Sequence, residues 1–325
     1  MTKAFRIHEY GGPEVLKWED VEVGDPGPGQ VRLKQTAVGL NFVDTYMRSG
    51  LYPLPSLPSG IGQEAAGIVE AVGEGVNDLK PGQRVAYGIG PAGAYAESRL
   101  FPADRLVPLP DRIDDKTGAA MMLKGLTAWY LIRQTYRVHE GETILLHAAA
   151  GGVGSILCQW AKHLGATVIG TVGSDEKAQL AQDNGCDHTI VYTRENFTER
   201  VKELTGGKGV PVVYDSVGAA TWEGSLDCLR PRGLMVTFGN ASGKVPAMEP
   251  VILAGKGSLY LTRPTLAHYV PTREALLAAA NELISLVANG RIDIAVNQTR
   301  PLREAADGQR DLESRKTTGS TVFLP

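Results

Sequence analysis

A nearly side-chain-free turn between an apolar run and a helical pattern constrains this chain most. Residues 143–164 read TILLHAAAGGVGSILCQWAKHL, in which TILLH has the pattern of a buried strand. After the turn, Val153, Leu157, Trp160 and Leu164 recur at helical spacing. Further apolar runs, GATVIGTVG, DHTIVY, VPVVYDSVG and GLMVTFGN, alternate with helical segments downstream. This alternation predicts β-α-β units and a parallel sheet covered on both faces.

The turn itself has the composition of a dinucleotide-binding loop. Glycines there permit a tight turn, close approach of a pyrophosphate to the backbone, and close packing of helix against strand. The three positions of that fingerprint are occupied by Ala149, Gly151 and Gly154, with Gly152 as an extra glycine. Glycines used only for packing would give the same letters, but the strand before and the helix after favour cofactor binding.

The residues about twenty positions beyond the loop bear on which dinucleotide binds. Proteins that prefer NAD place an acidic side chain there, at the end of the second strand. This chain has Gly173 and Ser174 near that place and Lys177 one turn later, so a lysine could reach a 2′-phosphate. NADPH is therefore favoured, although Asp175 and Glu176 lie nearby and Lys177 could be an ordinary exposed helix lysine.

The segments before and after this region indicate a second domain. From residue 1 to about residue 110, short β-rich runs are separated by Pro-Gly and Gly-Gln pairs, with one short helix predicted within NFVDTYMRSG. After Thr262 a long helix, PTREALLAAANELISLVANG, leads to a last strand, STVFLP. The tail is expected to pack on the first domain, giving two lobes with a cleft between them.

Composition narrows the class of protein. The 325 residues include 33 basic and 36 acidic side chains, and a net charge of -3 gives no electrostatic footprint for nucleic acid or an anionic membrane. Cys158, Cys186 and Cys228 have no zinc-type spacing and are too few for a disulfide framework. The start, MTKAFRIHEY, lacks the apolar stretch of a signal peptide, so a cytoplasmic location is expected.

Several motifs in order resemble one family over nearly the whole chain. They are GGPEVL, GLNFVDTYMRSGLYP, PSLPSGIGQEAAGIVEAVGEGV, LKGLTAWYLI, HAAAGGVG and VVYDSVG. Together they resemble the zinc-independent quinone oxidoreductases, similar to zeta-crystallin, of the medium-chain dehydrogenase/reductase superfamily. The resemblance implies an α/β protein with a GroES-like β-rich catalytic domain over residues 1–122 and 266–325. It also implies a Rossmann domain, a doubly wound parallel sheet that binds NADPH, over residues 123–265.

The resemblance also indicates whether this chain could bind a catalytic metal. Zinc alcohol dehydrogenases of this superfamily bind their catalytic metal through cysteine, histidine and cysteine, at positions that match Asn41, Gln63 and Lys124 here. Amides bind Zn²⁺ poorly and a protonated lysine cannot ligate it. The six histidines form no i, i+4 pair that would rebuild the site. No metal is expected, which favours the reduction of an acceptor that needs no Lewis acid.

Candidate catalytic residues come from segments that line the cleft in this family. Asn41, Tyr46, Tyr52 and Gln63 are predicted to position an acceptor or donate to its developing oxyanion. Each has an alternative role: Asn41 could cap the helix that begins near Phe42, and the two tyrosines could be packing residues at the domain edge. Asp44 is interpreted as a first-turn structural or cofactor-orienting group, and Glu64 as buried and paired.

The resemblance further implies a set of cofactor contacts. Asn41, Lys124 and Thr127 are expected near the nicotinamide half, and Gly151, Gly152, Val153 and Gly154 at the pyrophosphate. The remaining predicted contacts are Gly173, Ser174, Lys177 and Tyr192 around the adenosine phosphate, Ser216, Phe238, Gly239 and Asn240 after later strands, and Arg315 from the tail. Arg315 could equally satisfy carbonyls at a helix end, and Lys316 beside it leaves that position open.

The sequence therefore predicts an NADPH-dependent, metal-independent reductase that passes reducing equivalents from nicotinamide C4 to a quinone in the interdomain cleft. A reductase of α,β-unsaturated aldehydes or ketones is the nearest alternative. A cofactor-bound RNA-binding protein is another, disfavoured by the acidic balance. The apolar run KGSLYLTRP, Lys256 to Pro264, is expected at the sheet edge, where it could pair with a second copy in a homodimer.

Overall fold

The structure, a computed structural model, describes all residues from Met1 to Pro325. The chain forms two compact units. The first comprises Met1–Leu126, Val270–Asn289 and Ile294–Pro325, and the second comprises Thr127–Tyr269 and Gly290–Asp293.

The amino-terminal part of the first unit consists mainly of strands. They are β1 (Thr2–Ile7), β2 (Lys17–Val21), β3 (Gln30–Gly39), β4 (Ser59–Gly60), β5 (Glu64–Val72), β6 (Arg84–Tyr87), β7 (Ser98–Pro102) and β8 (Val107–Pro108). Two helices accompany them, α1 (Phe42–Arg48) and α2 (Asp115–Tyr130), the second of which continues into the other unit. The short helix expected within NFVDTYMRSG is thus α1.

The second unit alternates strands and helices. Its strands are β9 (Thr143–His147), β10 (Thr167–Val172), β11 (His188–Val191), β12 (Val210–Asp215), β13 (Leu229–Thr237) and β14 (Tyr260–Thr262). Its helices are α3 (Gly152–His163), α4 (Asp175–Asp183), α5 (Phe197–Leu204), α6 (Trp222–Asp227), α7 (Val251–Gly255) and α8 (Leu266–Tyr269). The tail then forms α9 (Arg273–Ala288), β15 (Val296–Pro301), α10 (Ala305–Glu313) and β16 (Ser320–Leu324).

The sheets of the first unit are antiparallel with one exception. The larger sheet has the order β15-β16-β3-β5-β6-β8, with β7 also paired to β3, and the smaller has the order β2-β1-β4. Strands β15 and β16 pair in parallel, because the chain passes through α10 between them and so enters both strands from the same end. The core between the sheets contains Phe5, Leu33, Val85, Phe101 and Phe323.

The sheet of the second unit is wholly parallel. Its order is β11-β10-β9-β12-β13-β14, which is the order of two mononucleotide-binding halves joined at β9 and β12. Leu145, Ile169, Val213, Trp222 and Met235 belong to the apolar cluster of this unit. Ligands of such sheets bind beyond the carboxyl ends of the strands where the order reverses, so the loops after β9 and β12 are the places to look for a site.

None of the helices combines the length and the apolar character that crossing a bilayer requires.

Candidate dinucleotide and acceptor sites

The glycine loop lies at the point where the strand order reverses. It joins β9 to α3, whose N-cap is Gly151, and the backbone N–H groups of the first turn of α3 have no partners within the helix. Gly151, Gly152 and Val153 are partly exposed, whereas Gly154 is buried. A partly exposed helix N-terminus with no bulky side chain suits the pyrophosphate of a dinucleotide.

The tight turn of the loop is made without glycine. Ala148 has a φ of 56°, and Gly151 N donates to its carbonyl at 2.9 Å. A non-glycine residue in this region costs on the order of 1 kcal/mol, so Ala148, which directly precedes the first fingerprint position Ala149, carries some strain. Gly154 allows α3 to pack closely on the preceding loop, because a Cβ at this position would lie 2.3 Å from Ala148 O.

A buried polar network supports the end of β9. His147 Nδ1 lies 2.8 Å from Thr171 Oγ1, and His147 Nε2 lies 2.9 Å from Ser225 Oγ. Ser225 Oγ donates to Asp215 at 2.9 Å, so the Nε2 atom of His147 carries the proton and Nδ1 accepts. Burial lowers the pKa of His147, against the attraction of the Asp215 carboxylate. The neutral imidazole therefore links β9, β10 and α6.

The residues predicted around the adenosine phosphate lie together at the carboxyl ends of β10 and β11. Ser174 is the N-cap of α4 and accepts from Lys177 N at 3.3 Å. Tyr192 follows β11, and a Cβ added at Gly173 would lie 2.8 Å from Tyr192 Oη. Thr193 Oγ1 donates to Gly173 O at 3.4 Å. The structure thus brings this predicted set together, and its role as a phosphate site stays a prediction.

The later predicted contacts also share one edge of the sheet. Ser216 follows β12 and Phe238 to Asn240 follow β13. A Cβ added at Gly239 would lie 2.2 Å from Ser216 O, so the two loops touch through backbone. Arg263 Nη1 donates to Gly239 O at 2.9 Å, which holds this loop from the segment after β14.

In the first unit, Glu64 organises a closed polar cluster. Its side chain is fully buried; Oε2 accepts from Asn41 Nδ2 and from Lys124 Nζ, each at 2.9 Å. Glu64 Oε1 accepts from Leu123 N at 2.7 Å. The expectation that Glu64 is buried and paired is confirmed. Lys124 balances the charge of Glu64. The oxygen that Lys124 does not contact, Oε1, accepts a hydrogen bond from the backbone of α2.

Asn41 and Asp44 fix the start of α1. Asn41 is the N-cap, as expected, and Asp44 Oδ2 accepts from Asn41 N at 2.9 Å and from Tyr95 Oη at 2.9 Å. The other carboxyl oxygen of Asp44, Oδ1, is buried without a hydrogen-bond partner. Burial raises the pKa of Asp44 to about 7, although these two hydrogen bonds act in the opposite direction.

The remaining predicted acceptor residues surround α1. Tyr46 and Tyr52 form an edge-to-face pair with ring centroids 5.2 Å apart, and Gln63 Nε2 lies 3.7 Å from Met47 Sδ. Tyr46 is nearly buried, which agrees with the packing role that the sequence left open. The structure brings Asn41, Tyr46, Tyr52 and Gln63 into one region of the first unit.

Thr127 and Arg315 lie in different units. Thr127 is a partly exposed residue of α2 in the second unit, whereas Arg315 follows α10 in the first. Arg315 has a φ of 61°, the left-handed conformation that commonly ends a helix, and its N–H donates to Leu312 O at 3.1 Å. The backbone N–H of Arg315 thus satisfies a carbonyl at the end of α10, and the roles of the Arg315 and Thr127 side chains stay predictions.

The side chains do not fit a catalytic zinc. No group of three or more His, Cys, Asp or Glu side chains is placed to hold a metal ion. Of the three positions that the resemblance aligns with zinc ligands, Asn41 and Lys124 are hydrogen-bonded to Glu64 and Gln63 lies against Met47. A protonated amine engaged with a carboxylate offers no lone pair to a cation.

Comparisons with known proteins identify the family. Residues 152–274 match the zinc-binding dehydrogenase family and residues 27–111 match the alcohol dehydrogenase GroES-like domain. A quinone oxidoreductase of Pseudomonas aeruginosa is 58% identical over 325 residues, which is 100% of both chains. The chain belongs to the quinone oxidoreductase family. It is an oxidoreductase of the medium-chain dehydrogenase/reductase superfamily, as the sequence motifs predict.

Two further members of the family have informative descriptions. The crystal structure of Escherichia coli quinone oxidoreductase complexed with NADPH has a TM-score of 0.97 and 52% identity, covering 99% of this chain and 100% of that one. A 2-haloacrylate reductase of a Burkholderia species is 49% identical over 100% of this chain and 99% of its own. The predicted fold class, GroES-like plus Rossmann, is confirmed.

Sequence reasoning missed three buried or charged arrangements. It did not find the His147 network, the unpartnered oxygen of Asp44, or an ion pair between Asp175 and Arg194. The first two depend on long-range packing and left no local pattern. Arg194 did leave a signal, because it stands three residues beyond the end of β11, beside the predicted contact Tyr192.

Proposed function

We propose that this protein is an NADPH-dependent, metal-independent quinone reductase. The cluster of Glu64, Lys124 and Asn41 carries the proposal, because it uses the positions aligned with metal ligands for a closed set of hydrogen bonds. Without a Lewis acid, an alkoxide would be poorly stabilised, whereas a quinone is electrophilic enough to accept a hydride unaided. The similarity to quinone oxidoreductases over the full chain supports the same acceptor class.

The second unit is proposed to bind the dinucleotide. Its pyrophosphate would lie against the first turn of α3, where Gly151 to Val153 leave the backbone accessible. Its 2′-phosphate would lie beside Ser174, Lys177 and Tyr192, which the structure groups at the ends of β10 and β11. The NADPH complex of the Escherichia coli relative supports this choice of cofactor.

The first unit is proposed to supply the groups that position the acceptor. NADPH held by the second unit would supply one hydride, which together with one proton from solvent would convert a quinone to a hydroquinone and leave NADP⁺. The amide of Gln63 and the hydroxyls of Tyr46 and Tyr52 are the proposed donors to the oxyanion that develops on the acceptor, and Asn41, whose Nδ2 donates to Glu64 and Gly39, is proposed as a positioning residue. Asn41 has the best-defined orientation, because Glu64 holds its amide at 2.9 Å.

A direct assay tests the proposed activity. The purified protein should oxidise NADPH in the presence of a 1,4-quinone after exhaustive treatment with a metal chelator, with elemental analysis showing less than stoichiometric zinc. Activity that disappears on chelation and returns with zinc would reject metal independence. No oxidation of NADPH with any quinone would reject the proposed reaction.

Lys177 tests the choice of NADPH over NADH. Lys177→Glu should raise the KM for NADPH by about tenfold or more and leave the KM for NADH nearly unchanged, since only NADPH carries the 2′-phosphate. Steady-state kinetics with one fixed quinone measure both values. Equal effects on the two dinucleotides would remove Lys177 from the phosphate site.

A reductase of activated alkenes is the second candidate. The relative named 2-haloacrylate reductase, at 49% identity over essentially the whole of both chains, favours it. Such acceptors need the same hydride and the same metal-free site. A panel of quinones, enones and 2-haloacrylates compared by kcat/KM separates the two: the larger value for alkenes would replace the quinone in the proposed function.

We also propose a homodimer formed through β14. This strand lies at one edge of the parallel sheet, and Tyr260 and Leu261 are exposed there. Pairing with a second copy would satisfy the open backbone groups of that edge.

A further inference from the structure

We propose that Arg194 is a specificity residue for the dinucleotide, which acts by neutralising Asp175 at the first turn of α4. The inference deepens the proposed function and rests on it. Nothing in the sequence pattern assigns a role to Arg194, and neither Asp175 nor Arg194 belongs to the predicted contacts.

Asp175 lies in the turn where the 2′-phosphate is proposed to bind, and an unpaired carboxylate there would disfavour NADPH. It is the first residue of α4, between the N-cap Ser174 and Lys177, whose N–H donates to the Ser174 side chain at 3.3 Å. An unpaired negative charge in this turn would repel a 2′-phosphate, which is itself negative at neutral pH. The same carboxylate would favour the ribose hydroxyls of NADH.

Arg194 reaches Asp175 from the neighbouring strand. Residues 192–194 leave the end of β11 and run past Gly173, where Thr193 Oγ1 donates to Gly173 O at 3.4 Å. Arg194 then forms a two-pronged ion pair with Asp175, with Nη1 to Oδ2 at 2.6 Å and Nη2 to Oδ1 at 2.5 Å. Both carboxylate oxygens are thus committed to a planar guanidinium.

The other charged groups nearby do not replace this pairing. Glu176 adds a second negative charge to the turn, and Lys177 is the single basic side chain of α4. Glu195 is engaged elsewhere, since its Oε1 accepts from Val191 N at 2.9 Å and its Oε2 lies 3.4 Å from Arg200 Nε. Removing Arg194 therefore leaves two carboxylates and one ammonium in the first turn of α4.

The pairing explains how an acidic residue can stand in an NADPH site. Bound to Arg194, Asp175 has its charge compensated and its oxygens turned toward the guanidinium, so it repels a phosphate in this turn less strongly. The hydrogen bond and the charge of Arg194 also lower the pKa of Asp175.

The test compares three variants at one low ionic strength, with one quinone as acceptor. Arg194→Leu should raise the KM for NADPH about tenfold and change the KM for NADH less than about twofold, because the uncompensated charge acts on the phosphate. Adding Asp175→Asn to that variant should bring the KM for NADPH back to within about twofold of the wild-type value. Arg310→Leu, which breaks a similarly exposed Arg–Asp pair with Asp307 in α10 of the first unit, is the matched control and should not change the preference.

Each result has one interpretation. If the double variant is as impaired as Arg194→Leu, the arginine does not act through Asp175 and the proposal is wrong. If Arg194→Leu leaves both KM values unchanged while the wild type prefers NADPH, the proposal fails but the proposed function stands. If the wild-type protein has the same kcat/KM for NADH as for NADPH, the proposed function fails on the choice of cofactor.

Discussion

A single carboxyl group shows how burial alters the chemistry of a residue that sequence reasoning treated as structural. Asp44 has hydrogen-bond partners on one oxygen only, from Asn41 N and Tyr95 Oη. An ionised carboxylate in this place would keep one oxygen unpaired in a buried setting, which is costly. The proton is therefore retained to a much higher pH than on an exposed aspartate, and the pKa of Asp44 rises to about 7.

The raised pKa makes stability depend on pH in a defined direction. The folded state binds the Asp44 proton more tightly than the unfolded state, where the pKa is near 3.8. The free energy of unfolding should therefore fall as pH rises from about 4 to about 7 and then level off. Asp44→Asn should remove this part of the pH dependence. The free energy of unfolding of the variant, relative to that of the wild type, should therefore rise by roughly 4 kcal/mol from about pH 4 to about pH 7.

Urea unfolding at a series of pH values measures the difference between the two proteins. Asp25→Asn, which changes a carboxyl group whose side chain is 95% exposed, is the matched control and should run parallel to the wild type. A constant difference between Asp44→Asn and the wild type from pH 4 to 8 would show that Asp44 is ionised in the folded protein.

The loop between β9 and α3 assigns different tasks to neighbouring glycines. Gly154 is buried, and a Cβ there would lie 2.3 Å from Ala148 O and 2.8 Å from Ala149 O. A Cβ at Gly151 would meet only Ala148 O, at 3.2 Å, and Gly151 has an extended backbone with φ of -82° that any residue adopts. Gly154 thus serves the packing of helix on strand, and Gly151 is free to serve the ligand.

Matched alanine substitutions separate these two tasks. Gly154→Ala should destabilise the fold by roughly 1–3 kcal/mol, because the added methyl group meets backbone that cannot yield. Gly151→Ala should change stability by less than about 1 kcal/mol but weaken NADPH binding about tenfold or more, because it adds bulk to the loop on which the pyrophosphate is proposed to lie. Thermal unfolding and titration calorimetry measure the two effects. Equal losses of stability in both variants would contradict the division.

The sequence could predict elements that have a local pattern. The strand-turn-helix at residues 143–164, the alternation after it, and the N-cap at Asn41 all follow from spacing and residue type. The parallel pairing of β15 with β16 could not be predicted, since it depends on where α10 returns the chain. The left-handed conformation of Ala148 was also missed, because this residue precedes the first fingerprint position and an alanine gives no local signal of a positive φ.

At the scale of each whole unit, the site was predictable as a set of segments but not as a set of contacts. Gly173, Ser174, Lys177 and Tyr192, which the motifs indicate, lie together at the ends of β10 and β11, and their role as a phosphate site stays a prediction. Motifs carry no information about which charges compensate each other. The ion pair of Asp175 with Arg194 joins residues nineteen positions apart, and Glu64 with Lys124 joins residues sixty apart. Such pairs arise only when the sheets of each unit are assembled.

The open edge of the parallel sheet leads to the last prediction, which concerns assembly. Strand β14 has β13 on one side only, and Tyr260 at this edge is 59% exposed. A lysine on an edge strand disfavours pairing with another chain, because its charge must then be buried or repelled by its symmetry mate. Tyr260→Lys should therefore weaken association of the proposed dimer at least about tenfold. Ala278→Lys, on the exposed face of α9, adds the same charge elsewhere and should leave association unchanged. Sedimentation equilibrium over a range of concentrations measures both. A wild-type protein that sediments as a monomer at every concentration would show that the β14 edge is not an interface.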